Sequence, residues 1–128
     1  MTSKIETFAR LHIPGNPLVL FNIWDAGSAK AVAEAGAQAI ATGSYGVAEA
    51  QGFKDGEAFT LDLALTNLER IIGVTDLPVT LDMESGYGAT AEEVGRSVAA
   101  ARAAGAVGIN LEDRMPGIAE LTPVAEQA

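Results

Sequence analysis

Continuous apolar runs and stripes of helical period alternate along this chain. "SKIETFARLHI" puts Ile5, Phe8 and Leu11 or His12 on one side of a short helix capped by Ser3 or Thr2. Pro14, Gly15 and Pro17 end it. "LVLFNIW", Leu18–Trp24, is apolar without interruption, which predicts a strand covered on both faces. "DAGSAKAVAEAG", Asp25–Gly36, predicts a helix with Asp25 or Ser28 near its start and a glycine stop. A second strand follows at Ala37–Gly43, then a loop from Gly43 to about Phe59. Thr60 caps a helix through Ile72, with Leu61, Leu65, Leu68 and Ile72 on one stripe. "LPVTLDM" is the third strand. The helix "TAEEVGRSVAAARAAG" opens on a capping box of Thr90 with Glu93 and closes at Gly105. "AVGINLED" is the fourth strand, and another helix begins near Thr122–Pro123.

Four βα units in succession imply a parallel sheet. The joints repeat as well: "EAGAQAI" (Glu34–Ile40) matches "AAGAVGI" (Ala103–Ile109), each a helix end, a glycine stop and a strand start. A complete (β/α)8 TIM barrel takes about 250 residues. Residues 1–128 therefore read as the N-terminal half of a single barrel domain, its first four βα units. A small complete flavodoxin-like sheet is the alternative, less favoured because the terminal helix carries no stop signal.

Alternation within the strands then locates candidate chemistry. Val79, Leu81 and Met83 share one face of the third strand, and Thr80, Asp82 and Glu84 the other. On the fourth strand Ile109 and Leu111 oppose Asn110 and Glu112. In a barrel, Asp82, Glu84 and Glu112 would point inward at the C-terminal rim, where barrel active sites are built. Three crowded carboxylates repel one another, and either protonation or a cation relieves them. Oxygen donors without His or Cys suit Mg2+ or Mn2+. Solvated loop ends or helix caps are the alternative for these acids, and the better reading of Asp113. Gly43 and Ser44 end the second strand where backbone N–H groups can receive an oxyanion, although a plain turn explains them equally well. The long loop after them has the character of a lid. Trp24 is core or pocket lining, and Tyr45 and Tyr87 border the rim glycines.

Composition narrows the classes. Eight basic and seventeen acidic residues give a net charge of −9, which argues against nucleic acid and anionic membranes as partners. There is no cysteine, hence no disulfide and no thiol nucleophile. No apolar run approaches the ~20 residues of a membrane span, and no signal peptide opens the chain. The expectation is a soluble, cytoplasmic protein.

Together, "NIWDAGSAKAVAEAGAQAIATGS", "GFKDGE", "PVTLDMESGYG" and "GAVGINLEDR" resemble the isocitrate lyase and phosphoenolpyruvate mutase superfamily over about residues 18–116, in the same order and spacing. The resemblance implies a (β/α)8 barrel, a homo-oligomer with an exchanged terminal helix, and a Mg2+-dependent lyase-type enzyme. Such an enzyme makes or breaks a C–C or P–C bond in a small 2-oxo acid or dicarboxylate through an enolate-like intermediate. It implies Asp82 as the direct metal ligand and Glu84 and Glu112 as holders of metal-bound waters. Several members have Asp at the position of Glu84. Asp55 matches the lid acid, and Gly43–Ser44 the pair that receives the substrate oxygen. Trp24, Asp25 and Tyr45 complete the expected substrate contacts, and Asp55, Glu112 and Arg114 the catalytic set. The lyases that cleave isocitrate or methylisocitrate carry Lys-(Lys/Arg)-Cys-Gly-His after the fourth strand; here "EDRMPGIAELTPVAEQ" has neither Cys nor His. A cysteine-dependent isocitrate lyase is thereby excluded. Mutase and phosphonopyruvate hydrolase members have a lysine where Arg114 stands, and an Asn-Ser downstream that is missing here. The family's substrate-carboxylate arginine comes from a later strand, beyond Ala128. The rival expectation is a catalytically inactive half-barrel that acts only through association with another chain.

Overall fold

The computed structural model describes residues 3–128. In chain order the elements are α1 (Lys4–Arg10), β1 (Phe21–Ile23), α2 (Ala26–Glu34), β2 (Ile40–Thr42), α3 (Ser44–Ala50), α4 (Leu61–Ile72), β3 (Val79–Asp82), α5 (Ala91–Ala103), β4 (Gly108–Asn110) and α6 (Val124–Gln127). The four strands are parallel and lie in the order β1-β2-β3-β4. A doubly wound sheet reverses direction at a switch point. This sheet never does, and it advances as the wall of a barrel does.

Register assigns the faces. Phe21 pairs with Ile40 and Ile40 with Val79; Asn22 pairs with Ala41, Ala41 with Thr80 and Thr80 with Gly108. One face carries Ile23, Ile40, Val79 and Leu81, all buried against Ala29 of α2, Leu68 and Ile71 of α4 and Ala101 of α5. Met83 joins this core, so the expected helix-facing set Val79, Leu81 and Met83 is present. The opposite face is lined by small or polar residues, Asn22, Ala41, Thr80 and Gly108. A Cβ at Gly108 would lie 3.0 Å from Thr80 Cγ2 and 3.3 Å from Phe8 of α1, so glycine lets α1 approach this inner face.

The strands are shorter than the apolar runs suggest, because ladder pairing ends where the chain turns toward each helix. Ser3 caps α1 in a reciprocal box with Glu6; the alternative cap, Thr2, lies outside the described residues. The Thr90–Glu93 box forms as the sequence predicts. Thr60 stands at the N-cap of α4 but makes no side-chain cap bond. Residues 43–59 are not all loop: α3 fills their first half, with Val47 and Ala48 buried against Phe59 and Ala64.

The two repeated joints are the same motif. After α2, Gly36 N–H reaches Ala33 O at 3.0 Å and Ala37 N–H reaches Val32 O at 3.3 Å; after α5, Gly105 N–H reaches Arg102 O and Ala106 N–H reaches Ala101 O, both at 3.0 Å. These are Schellman closures, and both glycines are left-handed, with φ of 97° and 106°. A Cβ at Gly36 meets nothing, whereas one at Gly105 lies 2.9 Å from Ile72 Cδ1. Gly36→Ala should cost about 1–2 kcal/mol from backbone strain, and Gly105→Ala more, because Ile72 must also move. Urea unfolding of the two variants measures the difference; equal losses would show that the Ile72 contact is immaterial.

Candidate active site

All four strands deliver their C-terminal ends to one rim. Asn22 and Trp24 arrive from β1, Gly43–Tyr45 from β2, Asp82–Ser85 from β3 and Glu112–Arg114 from beyond β4. Asp82 pairs with Asn110 across the ladder, which puts both on the inner face. Its backbone N–H donates to Thr42 Oγ1 at 2.9 Å. Its carboxylate is held on both sides: Oδ2 accepts from Ser44 N–H at 2.8 Å and Oδ1 from Glu84 N–H at 3.1 Å. Each oxygen keeps a free lone pair. Asp82 is thus a fixed, half-buried carboxylate with lone-pair capacity left over.

Glu84 departs from simple alternation. β3 ends at Asp82, and Glu84 has a φ of 50°, so a left-handed turn rather than the pleat aims its side chain. It is 5% exposed, and its Oε2 accepts from Glu57 N–H. Burial pushes its carboxyl above the ordinary 4.5, and the charges of Asp55 and Glu57 add to the effect. Tyr87, half-buried beside the same acids, has its hydroxyl pushed well above 10. Among the described residues the one ion pair is Lys30 with Glu34, on α2, so no rim acid is neutralised by a Lys or Arg.

Two clefts flank the Asp82–Glu84 ridge. One, of about 350 Å³, is lined by Asn22, Trp24, Gly43, Ser44, Tyr45 and Asp82. The other, of about 380 Å³, is lined by Asp55, Glu84, Ser85, Glu112, Arg114 and neighbours. Most of the expected site residues are therefore brought to one rim, but not to one point. Among the described residues, no three carboxylates or imidazoles are spaced to enclose a metal. The expected convergence of Asp82, Glu84 and Glu112 by alternation is corrected in that respect. Both Glu84 and Glu112 lie past the last paired residue of their strands, and Glu112 is exposed.

Two further expectations need correction. Gly43 N–H is given to Ile23 O at 3.3 Å and Ser44 N–H to Asp82, so neither is free to receive an oxyanion. Gly43 has a steric reason instead: a Cβ there would stand 2.9 Å from Asn22 Nδ2. Asp25 is committed to the N-cap of α2, where Oδ1 accepts from Ser28 N–H at 2.7 Å and Ser28 Oγ at 2.8 Å. The Ser28 N–H holds its carboxyl below the usual 3.8. His12 is used locally, its Nδ1 2.8 Å from Phe8 O.

The rim also depends on residues that the sequence reading passed over. Asn67, buried on α4, donates to Trp24 O at 2.9 Å and ties the end of β1 to the helix layer. Its signal was a polar residue on the apolar side of α4. Thr42 orients Asp82, and Glu57 and Ser85 meet beside Glu84. Their roles arise from contacts 27 to 40 residues apart in sequence.

The raised Glu84 carboxyl has a measurable consequence. The folded chain holds this proton more tightly than the unfolded chain, so the Glu84 contribution to stability falls as pH rises above about 4.5. Comparing wild type with Glu84→Gln in urea across pH 4–8 isolates it. The wild-type stability should decline relative to the variant over that range; a flat difference would contradict the burial of an unpaired acid.

Comparison with known proteins agrees with this architecture. Residues 8–128 match the family model described as phosphoenolpyruvate phosphomutase. A 2-methylisocitrate lyase of Escherichia coli (strain K12) is 36% identical over 116 residues, covering 82% of this chain and 39% of that protein. A candidate phosphonomutase of Burkholderia cenocepacia J2315 superposes with a TM-score of 0.93 at 54% identity, over 96% of this chain and 50% of that one. A phosphonopyruvate hydrolase solved with oxalate and Mg2+ superposes at 0.91 with 21% identity, over 98% of this chain and 45% of that one, a likeness of fold. The chain thus spans half or less of the length of these relatives. Among the described residues no helix is long and apolar enough to cross a membrane. On its family match and its unbroken β1-β2-β3-β4 sheet, the chain belongs to the phosphoenolpyruvate phosphomutase family, in the isocitrate lyase and phosphoenolpyruvate mutase superfamily, and forms four βα units of a (β/α)8 barrel.

Proposed function

We propose that this chain supplies the metal-binding wall of a lyase- or mutase-type enzyme that makes or breaks a C–C or P–C bond in a small 2-oxo acid or carboxylate. The observation that carries this reading is Asp82: a carboxylate at the C-terminal rim, held by two backbone N–H groups and, among the described residues, paired with no cation. An all-oxygen, net-negative rim fits Mg2+ or Mn2+. Asp82 would be the direct ligand, and Glu84 and Glu112 would hold its waters. Mg2+ usually keeps several waters and takes one or two protein carboxylates, so the lack of a three-acid cage is compatible with it. When bound, the ion supplies a Lewis acid that stabilises negative charge on a substrate oxygen. The phosphonopyruvate hydrolase solved with Mg2+ and oxalate, which shares this fold, supports the choice of ion and of a small carboxylate.

The chain's own residues would do the rest. Trp24 and Tyr45 wall the cleft beside Asp82 and would give an apolar contact to one side of the ligand. Arg114, in the cleft with Glu112, offers a fixed positive charge to a carboxylate or phosphonate. Asp55 stands across that cleft, where it can orient a reacting group or take its proton. Without cysteine the chain has no thiol acid or base, and Asp55 is the proposed proton carrier. The test is turnover of oxaloacetate, phosphonopyruvate and substituted malates with Mg2+ and with chelator. Turnover that requires Mg2+ is expected; metal-independent turnover, or none across the panel, would count against the proposal.

A second reading is favoured by the outer strands. Val19 and Phe21 at the β1 side and Leu121 and Val124 beyond β4 are 64%, 55%, 65% and 84% exposed. A half-barrel that acts only with another chain over these faces would bury them. Size-exclusion chromatography with intact mass decides it. A monodisperse 13.1 kDa species that turns over the panel would overturn that reading.

A further inference from the structure

The segment between α3 and α4 lies against the end of β3 and is fastened there chiefly through Glu57, with the Gly56 N–H also turned toward the Glu84 carboxyl. The Glu57 N–H donates to Glu84 Oε2, while Glu57 Oε1 accepts from the Ser85 hydroxyl and from Tyr87 N–H at 3.0 Å. Main chain and side chain of one residue therefore grip three residues of the turn between β3 and α5. Among the described residues, the non-glycine residues with positive φ are Glu57, Glu84 and Tyr87, at 62°, 50° and 53°. All three are in this contact. Each costs about 1–2 kcal/mol in the left-handed region, and such strain persists only where the surroundings over-determine it. The segment is anchored after Glu57 by buried Phe59, which Phe53 meets edge-on with centroids 5.3 Å apart. Between these anchors Asp55 projects into the cleft shared with Glu84, Glu112 and Arg114, joined to Glu57 by left-handed Gly56.

We infer that Glu57 is a positioning residue: its grip on Glu84, Ser85 and Tyr87 holds residues 51–58 closed and sets Asp55 over the acid cleft, and its release opens that cleft. Closure brings Asp55, Glu57 and Glu84 together with, among the described residues, no Lys or Arg paired to any of them, so a cation at the rim would favour it. The functional consequence rests on the reading of the cleft as a substrate site; the grip itself does not.

Amide hydrogen exchange by NMR on the full chain, without metal or substrate, tests it. The probes are the amides of residue 57 and Tyr87, with those of α4 as a control for global folding. Glu57→Ala should accelerate exchange at both probes by about tenfold or more with α4 unchanged. Glu57→Gln keeps an acceptor oxygen and should stay within about threefold of wild type. Ser85→Ala, which removes one donor to Glu57 and leaves the loop sequence intact, should give an intermediate acceleration, and it carries the test if Glu57→Ala loosens α4 as well. Unchanged exchange in Glu57→Ala and Ser85→Ala, or a Glu57→Gln as fast as Glu57→Ala, would overturn the inference. A negative turnover assay leaves this result standing, so the two proposals fail separately.

Discussion

Asp82→Asn should weaken the chain by about 2–4 kcal/mol in urea unfolding, although it removes a negative charge from an acidic rim. The Asp82 carboxylate gives one oxygen to Ser44 N–H and the other to Glu84 N–H. Asparagine has one oxygen and one NH2, so either orientation sets a donor against one of those N–H groups. An unsatisfied donor costs about 1–3 kcal/mol, and bonds to an ionised acceptor are roughly twice as strong as neutral ones. Relief of repulsion is the opposing effect, and it is the smaller one. The charges that raise Glu84 are those of Asp55 and Glu57, and on the Tyr87 hydroxyl the Asp82 charge ranks behind burial and the charges of Glu84 and Glu57. A variant as stable as wild type, or more so, would mean that the two N–H groups find water without loss and that Asp82 is not fixed by the fold.

The second large effect is Leu68→Ala. Leu68 is fully buried where α4 meets the sheet, in one cluster with Ile23, Ile40, Ile71, Val79 and Leu81. Truncating a leucine in such a place costs about 2–5 kcal/mol, part lost transfer energy and part cavity. That is a large share of the roughly 5–15 kcal/mol of an ordinary domain. Leu63, on the same helix but 40% exposed, provides the control, and Leu63→Ala should cost under about 1 kcal/mol. Similar losses for the two variants would contradict the assignment of the helix-facing core.

Much of this was legible because it is local. Glycine stops at Gly36 and Gly105, a cap at Ser3, the capping box at Thr90 and the apolar stripe of α4 each follow from neighbours within a turn or two. Alternation in β3 sorted Val79 and Leu81 from Thr80 and Asp82 correctly while the strand lasted. It still held at Met83 and failed at Glu84, two residues after the strand ended. The left-handed turn at Glu84 redirects its side chain toward Glu57, 27 residues away, and no period in the sequence records that. The helix α3 was hidden for a similar reason. Gly43 and Gly46 read as loop residues, yet Val47 and Ala48 hold the helix against Phe59 and Ala64. The Gly43–Ser44 pair looked available for an oxyanion because its acceptors, Ile23 O and Asp82, come from other strands.

The central claim is that the Asp82 rim binds one hard divalent cation, and a titration of Mn2+ followed by its paramagnetic resonance, with Mg2+ as competitor, tests it most directly. One Mg2+-displaceable Mn2+ per chain is expected in wild type, with affinity about 100-fold or more weaker in Asp82→Asn, since even an outer partner of a metal site is worth 10–100-fold. Binding that is absent, or that survives Asp82→Asn undiminished, would contradict the account.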